Sequence, residues 1–273
     1  MIGNDFCSAL RDGRRVYGTL TVSDAARWPG MLATLGLDFV FIDTEHIAID
    51  RAALSWMCQT YAALGMAPVV RIPSPDPFAA TVALDAGAQG VIAPYVETVE
   101  QVQKLRGAVK CRPLKGRRLE QLLGGEPTEP ELGEYLARRN SAQALIINVE
   151  SVAAWENLDA LLAVPDLDAV LIGPHDLSST MGIPERYDAP EFDRAVTDII
   201  TRARQAGVGA GIHVTTGRGL ATADEIRWIQ AGANLIVHRA DIIAAQMQLS
   251  AELAEIRQAV GDRPDGGRAD LNI

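Results

Sequence analysis

Residues 144–176 read ALIINVESVAAWENLDALLAVPDLDAVLIGPHD, and this stretch decides the fold. Its first part, 144–150, is apolar and β-branched, 151–163 is amphipathic, and 168–173 is a second apolar run. Such a strand–helix–strand unit joins two parallel strands by a crossover helix. The alternation continues outward in both directions. VYGTLTV (16–22), DFVFID (38–43), APVVRI (67–72) and GVIAPYV (90–96) come before it, and VGAGIHV (208–214) and NLIVHR (234–239) come after. Further helices are expected near 24–35, 50–64, 76–86, 98–109, 190–206, 222–231 and 241–259. Eight strand–helix units with right-handed crossovers bring the last strand beside the first, so we expect a single-domain (β/α)8 TIM barrel over 1–260. A doubly wound open sheet is the alternative, but no GxGxxG fingerprint follows the first strand. DAG (85–87), QAG (205–207) and QAG (230–232) place glycine where helices end. Residues 111–142, rich in Pro and Gly, form an insertion expected to act as a lid or an inter-subunit loop. Residues 261–273 are expected to be a flexible tail.

Composition narrows the class of partner. Of 273 residues, 48% are hydrophobic and 22% charged, the balance of a globular protein able to bury a large core. A formal net charge of −10 argues against nucleic acid, which demands clustered excess Lys and Arg. A small molecule is the expected partner. No apolar run reaches signal-peptide or membrane-span length, so no membrane role is expected and the cytoplasm is the expected location. Cys7, Cys58 and Cys111 are odd in number and widely spaced, which suits neither a disulfide framework nor a zinc site.

In such a barrel the strand ends that feed into helices form the working face. Five of them carry polar groups: Asp43-Thr44-Glu45-His46, Arg71, Asn148 with Glu150, Gly173-Pro174-His175-Asp176, and His238-Arg239. Glu150 and Asp176 are the sharpest pair, because two carboxylates converging on one mouth repel unless a divalent cation lies between them. Either could instead cap the helix that follows it. His46 lies three residues past Asp43, a spacing that could let the carboxylate orient the imidazole for proton transfer. Arg71 needs an anionic partner, which could be a substrate oxyanion or an internal salt bridge to Asp43, Glu45 or Glu150. His238, Arg239, Lys115, Arg117 and Arg118 suggest an acceptor with a carboxylate or phosphate, unless they are ordinary surface charges. Thr215-Thr216-Gly217-Arg218-Gly219 could form a small anion cup or an ordinary turn.

FVFIDTEH (39–46), PVVRI (68–72), NVES (148–151) and IGPHDLSSTMGIPERYDAPEF (172–192) together resemble the HpcH/HpaI aldolase family, the metal-dependent class II pyruvate aldolases. The resemblance covers about residues 15–257, and GPHDLSSTMG is its strongest segment. It implies a divalent metal, Mg²⁺ or Mn²⁺ with Co²⁺ as a further option, held by Glu150 and Asp176. It implies Arg71 at the enolate oxygen, His46 as base with Asp43 as its orienting partner, and the backbone around Gly173, Pro174, His175 and Asp176 receiving the pyruvate carboxylate. The family is oligomeric with its last helix exchanged between barrels, so a trimer or hexamer with 241–259 at the interface is expected. Departures are Asn148 in place of Gln, His175 at the variable position of GPxD, His213 where an apolar residue is usual, and His238-Arg239 after strand eight. Asn148, His213 and Arg239 are therefore expected near the substrate.

The implied reaction is carbon–carbon bond formation or cleavage through a pyruvate enolate, with an aldehyde or 2-oxo acid acceptor. No strand end carries the lysine that a Schiff-base aldolase would need. A Claisen-type condensing or lyase reaction on the same site is the alternative. A catalytically inactive ligand-binding barrel is the reading from another class.

Overall fold

A computed structural model describes Met1, residues 3–214 and residues 219–262. The strands are β1 (Val16–Thr21), β2 (Phe39–Asp43), β3 (Ala67–Arg71), β4 (Gly90–Ala93), β5 (Ala144–Val149), β6 (Ala169–Ile172), β7 (Gly209–Val214) and β8 (Leu235–Ala240). Neighbours pair in parallel from β1 to β8, and β8 pairs with β1, so the sheet closes into the expected barrel. Helix α1 (Asn4–Asp12) precedes β1. α2 (Trp28–Leu32), α3 (Arg51–Ala63), α4 (Pro77–Asp85) and α5 (Val99–Lys110) follow the first four strands. α6 (Gly116–Leu123) and α7 (Pro130–Asn140) lie in the insertion. α8 (Val152–Glu156), α9 (Leu158–Leu162), α10 (Pro174–Thr180), α11 (Pro190–Gln205), α12 (Thr222–Gln230) and α13 (Asp241–Val260) complete the chain. No described helix is long and apolar enough to cross a membrane.

Side-chain alternation divides the buried residues into two layers. Val40, Ile42, Val70, Val91, Leu145, Ile147 and Val170 point out to the helices, and Phe39, Phe41, Val69, Ile92, Ile146 and Leu171 fill the barrel. The two phenylalanines need room inside a narrow tube. Gly18 supplies it, since a Cβ there would lie 2.6 Å from the Phe39 ring. Removing a ring of this kind from a packed core typically costs about 3–5 kcal/mol. α1 plugs the end where the strands begin, with Phe6 and Leu10 inside the same layer and Asn234 Nδ2 donating to Leu10 O at 2.8 Å. At that end the fully buried Asp168 accepts from Leu145 N at 2.8 Å and pairs with Lys110 Nζ at 2.5 Å.

The insertion belongs to this closed end as well. It joins the end of α5 to the start of β5, and such helix-to-strand connections lie opposite the face built from strand-to-helix loops. α6 sets Leu119 and Leu123 against Gly107 of α5, and Asn140 Nδ2 donates to Arg112 O at 2.9 Å. The expectation of a lid over its own mouth is thus corrected. Lys115, Arg117 and Arg118 stand away from the mouth, and Arg118 pairs with Glu129 within the insertion. The segment is also more ordered than its Pro and Gly content implied, with two helices in place of a loop.

α13 departs from the barrel almost bare. Of its residues only Asp241 and Ile243 are buried, while Ile242, Leu249, Leu253, Ile256 and Val260 form an exposed apolar stripe at helical spacing.

Candidate active site

The inward register of the strands continues past the apolar layers into a polar one. Positions 39, 41 and then 43 of β2, 67, 69 and 71 of β3, 144, 146 and 148 of β5, and 169, 171 and then 173 beyond β6 share one face. Asp43, Arg71, Asn148 and Gly173 are therefore set side by side above the hydrophobic filling, with His213 of β7 edge-on to Phe41 at 6.1 Å between ring centres.

Arg71 is the centre of this layer. It is 5% exposed, lies over the Phe41 ring, and donates through Nε and Nη2 to Asp43 at 2.9 and 2.6 Å. Its Nε also lies 3.1 Å from Glu45 Oε2. Burial alone would raise the Asp43 carboxyl, but the two bonds from Arg71 outweigh it and hold Asp43 below the usual carboxylate range. The internal salt bridge considered from sequence is thus present.

It also corrects the expected dyad. Asp43 is committed to Arg71 and to the Glu45 backbone N–H, and the carboxylate nearest His46 is Glu45, with Oε2 3.6 Å from Nε2. Glu45 is pushed up to about 7 by burial, with Asp43 and Asp176 adding to the shift and Arg71 opposing it. His213 is pushed down to about 3 by burial and by Arg71, so the ring is neutral at physiological pH.

Glu150 is almost fully buried at the end of β5 and does not cap its helix. Ser151 performs that task, its side chain accepting from Ala154 N at 3.1 Å. Glu150 Oε1 instead accepts from the Tyr95 backbone N–H at 2.7 Å, and Oε2 accepts from Asn148 Nδ2 at 2.8 Å. Asp176 lies in the first turn of α10, whose N-cap is Gly173, and its Oδ1 accepts from the Tyr95 hydroxyl at 3.3 Å. Capping therefore explains neither carboxylate. Gly173 follows from the same packing, since a Cβ there would sit 2.9 Å from Glu150 Cβ and overlap the carboxylate itself. Burial raises Glu150 to about 7, with Asp176 and Glu45 adding to the effect against the bonds from Tyr95 and Asn148.

The donor set suits a hard divalent cation. Asp43, Glu45, Glu150 and Asp176 share the mouth, and Arg71 balances about one of them. Asn148 Oδ1, fully buried beside Glu150, has no hydrogen-bond partner among the described residues. Surplus negative charge, oxygen donors and an orphaned acceptor fit Mg²⁺ or Mn²⁺ better than a thiophilic metal. Among the described residues no three acidic, His or Cys side chains gather closely enough to enclose an ion. Glu150 and Asp176, both bonded to Tyr95, are the carboxylates that could hold such an ion.

The remaining candidates lie on the rim. His175 is largely exposed, 3.8 Å from Asp176 and 3.9 Å from Glu185. His238 points outward, not into the mouth, with Nδ1 2.6 Å from Glu225 Oε2 of α12. A bulge between β1 and β8 gives Arg239 a φ of 54°, and its Nη2 approaches Leu220 O at 3.4 Å beside the loop after β7. Thr215, Thr216, Gly217 and Arg218 of the suggested anion cup lie outside the described residues. Sequence reasoning passed over Tyr95, whose only advance signal was its place just beyond a strand end.

The model of the HpcH/HpaI aldolase/citrate lyase family matches residues 22–236. The chain belongs to this family. It is 33% identical over 211 residues to a 2-keto-3-deoxy-L-rhamnonate aldolase of Salmonella gallinarum (strain 287/91 / NCTC 13346), covering 77% of this chain and 79% of that protein. An HpcH/HpaI aldolase from Desulfitobacterium hafniense DCB-2 superposes with a TM-score of 0.78 at 25% identity, over 92% of this chain and 95% of the other. A citrate synthase superposes equally well, with a TM-score of 0.78 at 25% identity over 94% and 98% of the two chains. As a member of this family the protein is a carbon–carbon lyase of the aldolase type.

Proposed function

We propose that the protein is a divalent-metal-dependent aldolase that makes or breaks a bond to the methyl carbon of a pyruvate-like 2-oxo acid. The observation that carries this reading is that Glu150 and Asp176 are both bonded to Tyr95 at one mouth, which a buried arginine shares. A divalent cation bound there would polarise the keto group, lowering the barrier to enolate formation by several kcal/mol. Glu150 and Asp176 would hold it. Arg71, fixed by Asp43 and Glu45, would aim a preorganised positive charge at the oxygen where negative charge develops. Its Nη1 takes no part in the two bonds to Asp43. His46, exposed at the rim beside Glu45, would move the proton to and from the acceptor oxygen, a contribution of about 10²–10⁴-fold. The backbone around Gly173, Pro174, His175 and Asp176 would receive the substrate carboxylate, and His213 would form a neutral floor. The acceptor is an aldehyde or 2-oxo acid. Of the cations suggested for a charged acceptor, Arg239 remains on the rim.

The direct test is deuterium exchange into the methyl group of pyruvate in heavy water, with Mg²⁺ or Mn²⁺ and no acceptor. Methyl proton loss that depends on metal and stops with a chelator is expected; exchange indifferent to the chelator would overturn the proposal. The likeness to a citrate synthase favours Claisen condensation as a second reading, and product analysis with aldehyde and oxaloacetate acceptors separates the two.

The raised carboxyls give a pH signature. Glu45 and Glu150 move from 4.5 to about 7 on folding, so between those values the folded chain holds more protons than the unfolded one. Their contribution to stability is present below about 4.5 and lost as pH rises through about 7. The melting temperature of metal-free protein should carry this loss, and Mg²⁺ or Mn²⁺ should restore more above pH ~7 than below ~4.5. Thermal-shift curves across this range check it, and equal restoration at both ends would contradict it.

The apolar stripe of α13 supports a homo-oligomer, a trimer or hexamer, with that helix packed on a neighbouring barrel. Leu253→Glu with Ile256→Glu should reduce the sedimenting species to a monomer, and a wild type already monomeric would remove the idea. Three free, buried cysteines accord with a reducing cytoplasm.

A further inference from the structure

Tyr95 combines features that do not belong together in an ordinary loop residue. The residue is 49% exposed, so it contributes little to the core, yet its backbone has a φ of 50°. Non-glycine residues adopt this left-handed conformation at a cost and keep it where surrounding contacts impose it. Those contacts come from two sides. Behind it, Gln101 Nε2 reaches Tyr95 O at 3.5 Å, and Gln101 is itself locked into the capping box of α5 with Thr98. In front, the Tyr95 backbone N–H holds Glu150 Oε1 at 2.7 Å and its hydroxyl reaches Asp176 Oδ1 at 3.3 Å. One residue from the β4–α5 loop thus binds two carboxylates, one just past the end of β5 and one in the first turn of α10.

We propose that Tyr95 is a positioning residue for the cation site, holding Glu150 and Asp176 at the same mouth through its backbone N–H and its hydroxyl. The inference rests on reading those two side chains as the metal ligands. At this left-handed turn the main-chain N–H and the side-chain hydroxyl of the same residue serve both carboxylates. A carboxylate has lone pairs to spare, so the hydroxyl can keep one Asp176 oxygen while the other faces the ion. Partners of this kind orient the ligands without touching the metal, and losing one typically weakens metal binding about 10–100-fold.

The experiment measures Mn²⁺ binding to the full chain by calorimetry and by electron paramagnetic resonance, without substrate. Tyr95→Phe keeps the ring and the N–H but removes the hydroxyl, and should bind Mn²⁺ about 10-fold more weakly. Its metal-free melting temperature should be unchanged, which separates positioning from a structural role. Tyr95→Gly, which accepts the left-handed backbone freely, should weaken binding to the same degree. Equal Mn²⁺ affinity in wild type and Tyr95→Phe would overturn the role of Tyr95 while leaving the metal site standing. A wild type that binds no Mn²⁺, or a Glu150→Gln variant that binds it normally, would overturn both.

Discussion

Glu150→Gln is expected to reduce metal-dependent methyl exchange of pyruvate by about 10³-fold or more, since it removes half of the charge that would hold a Lewis acid worth several kcal/mol. The amide keeps the shape of the side chain and an oxygen for the Tyr95 N–H, so the barrel should fold. Burial now disfavours the ionised form of Glu150, and a neutral group there removes that penalty. The metal-free variant should accordingly melt no lower than wild type at neutral pH, and its gain on adding Mg²⁺ should vanish. Exchange rates followed by proton NMR, with thermal shifts on the same samples, check both halves. A variant that exchanges at the wild-type rate would remove Glu150 from the chemistry.

The second large effect concerns Arg71. Arg71→Leu should destabilise the fold by about 3–5 kcal/mol, because it leaves Asp43 buried without its counter-charge. It should also slow exchange by about 10²–10³-fold through loss of the preorganised donor at the developing oxyanion. Pairing it with Asp43→Asn distinguishes the two roles. The double variant should recover much of the stability in urea denaturation, since the buried Asp43 charge goes with its partner and Glu45 alone loses a counter-charge, yet it should stay as slow as Arg71→Leu. If activity returned together with stability, Arg71 would be a structural residue only.

The sequence is most legible where the fold obeys a local rule. Parallel strands covered on both faces read as unbroken apolar runs, and all eight appear within about three residues of their expected ends. Gly87, Gly207 and Gly232 stop their helices at positive φ, as the DAG and QAG triplets implied. What escaped was set by partners distant in the chain. The order EH, R, E, GPxD places Asp43, Arg71 and His46 at one mouth, but only the register between β2 and β3 gives Asp43 to Arg71 and leaves His46 to Glu45. His238 and Arg239 look equivalent on paper, and strand alternation followed by a bulge sends them to different neighbours. α1, α10 and the insertion helices α6 and α7 are not expected from the sequence, because short helices outside the repeating unit have no period to announce them. The end of the barrel that carries the insertion could have been deduced, since it comes after a helix and before a strand.

That location has a practical consequence. Residues 111–142 hang from the stoppered base, a full strand length from the opening through which small molecules must pass. A tether, a fused reporter or an immobilising surface attached there would therefore leave the approach to the opposite face unobstructed.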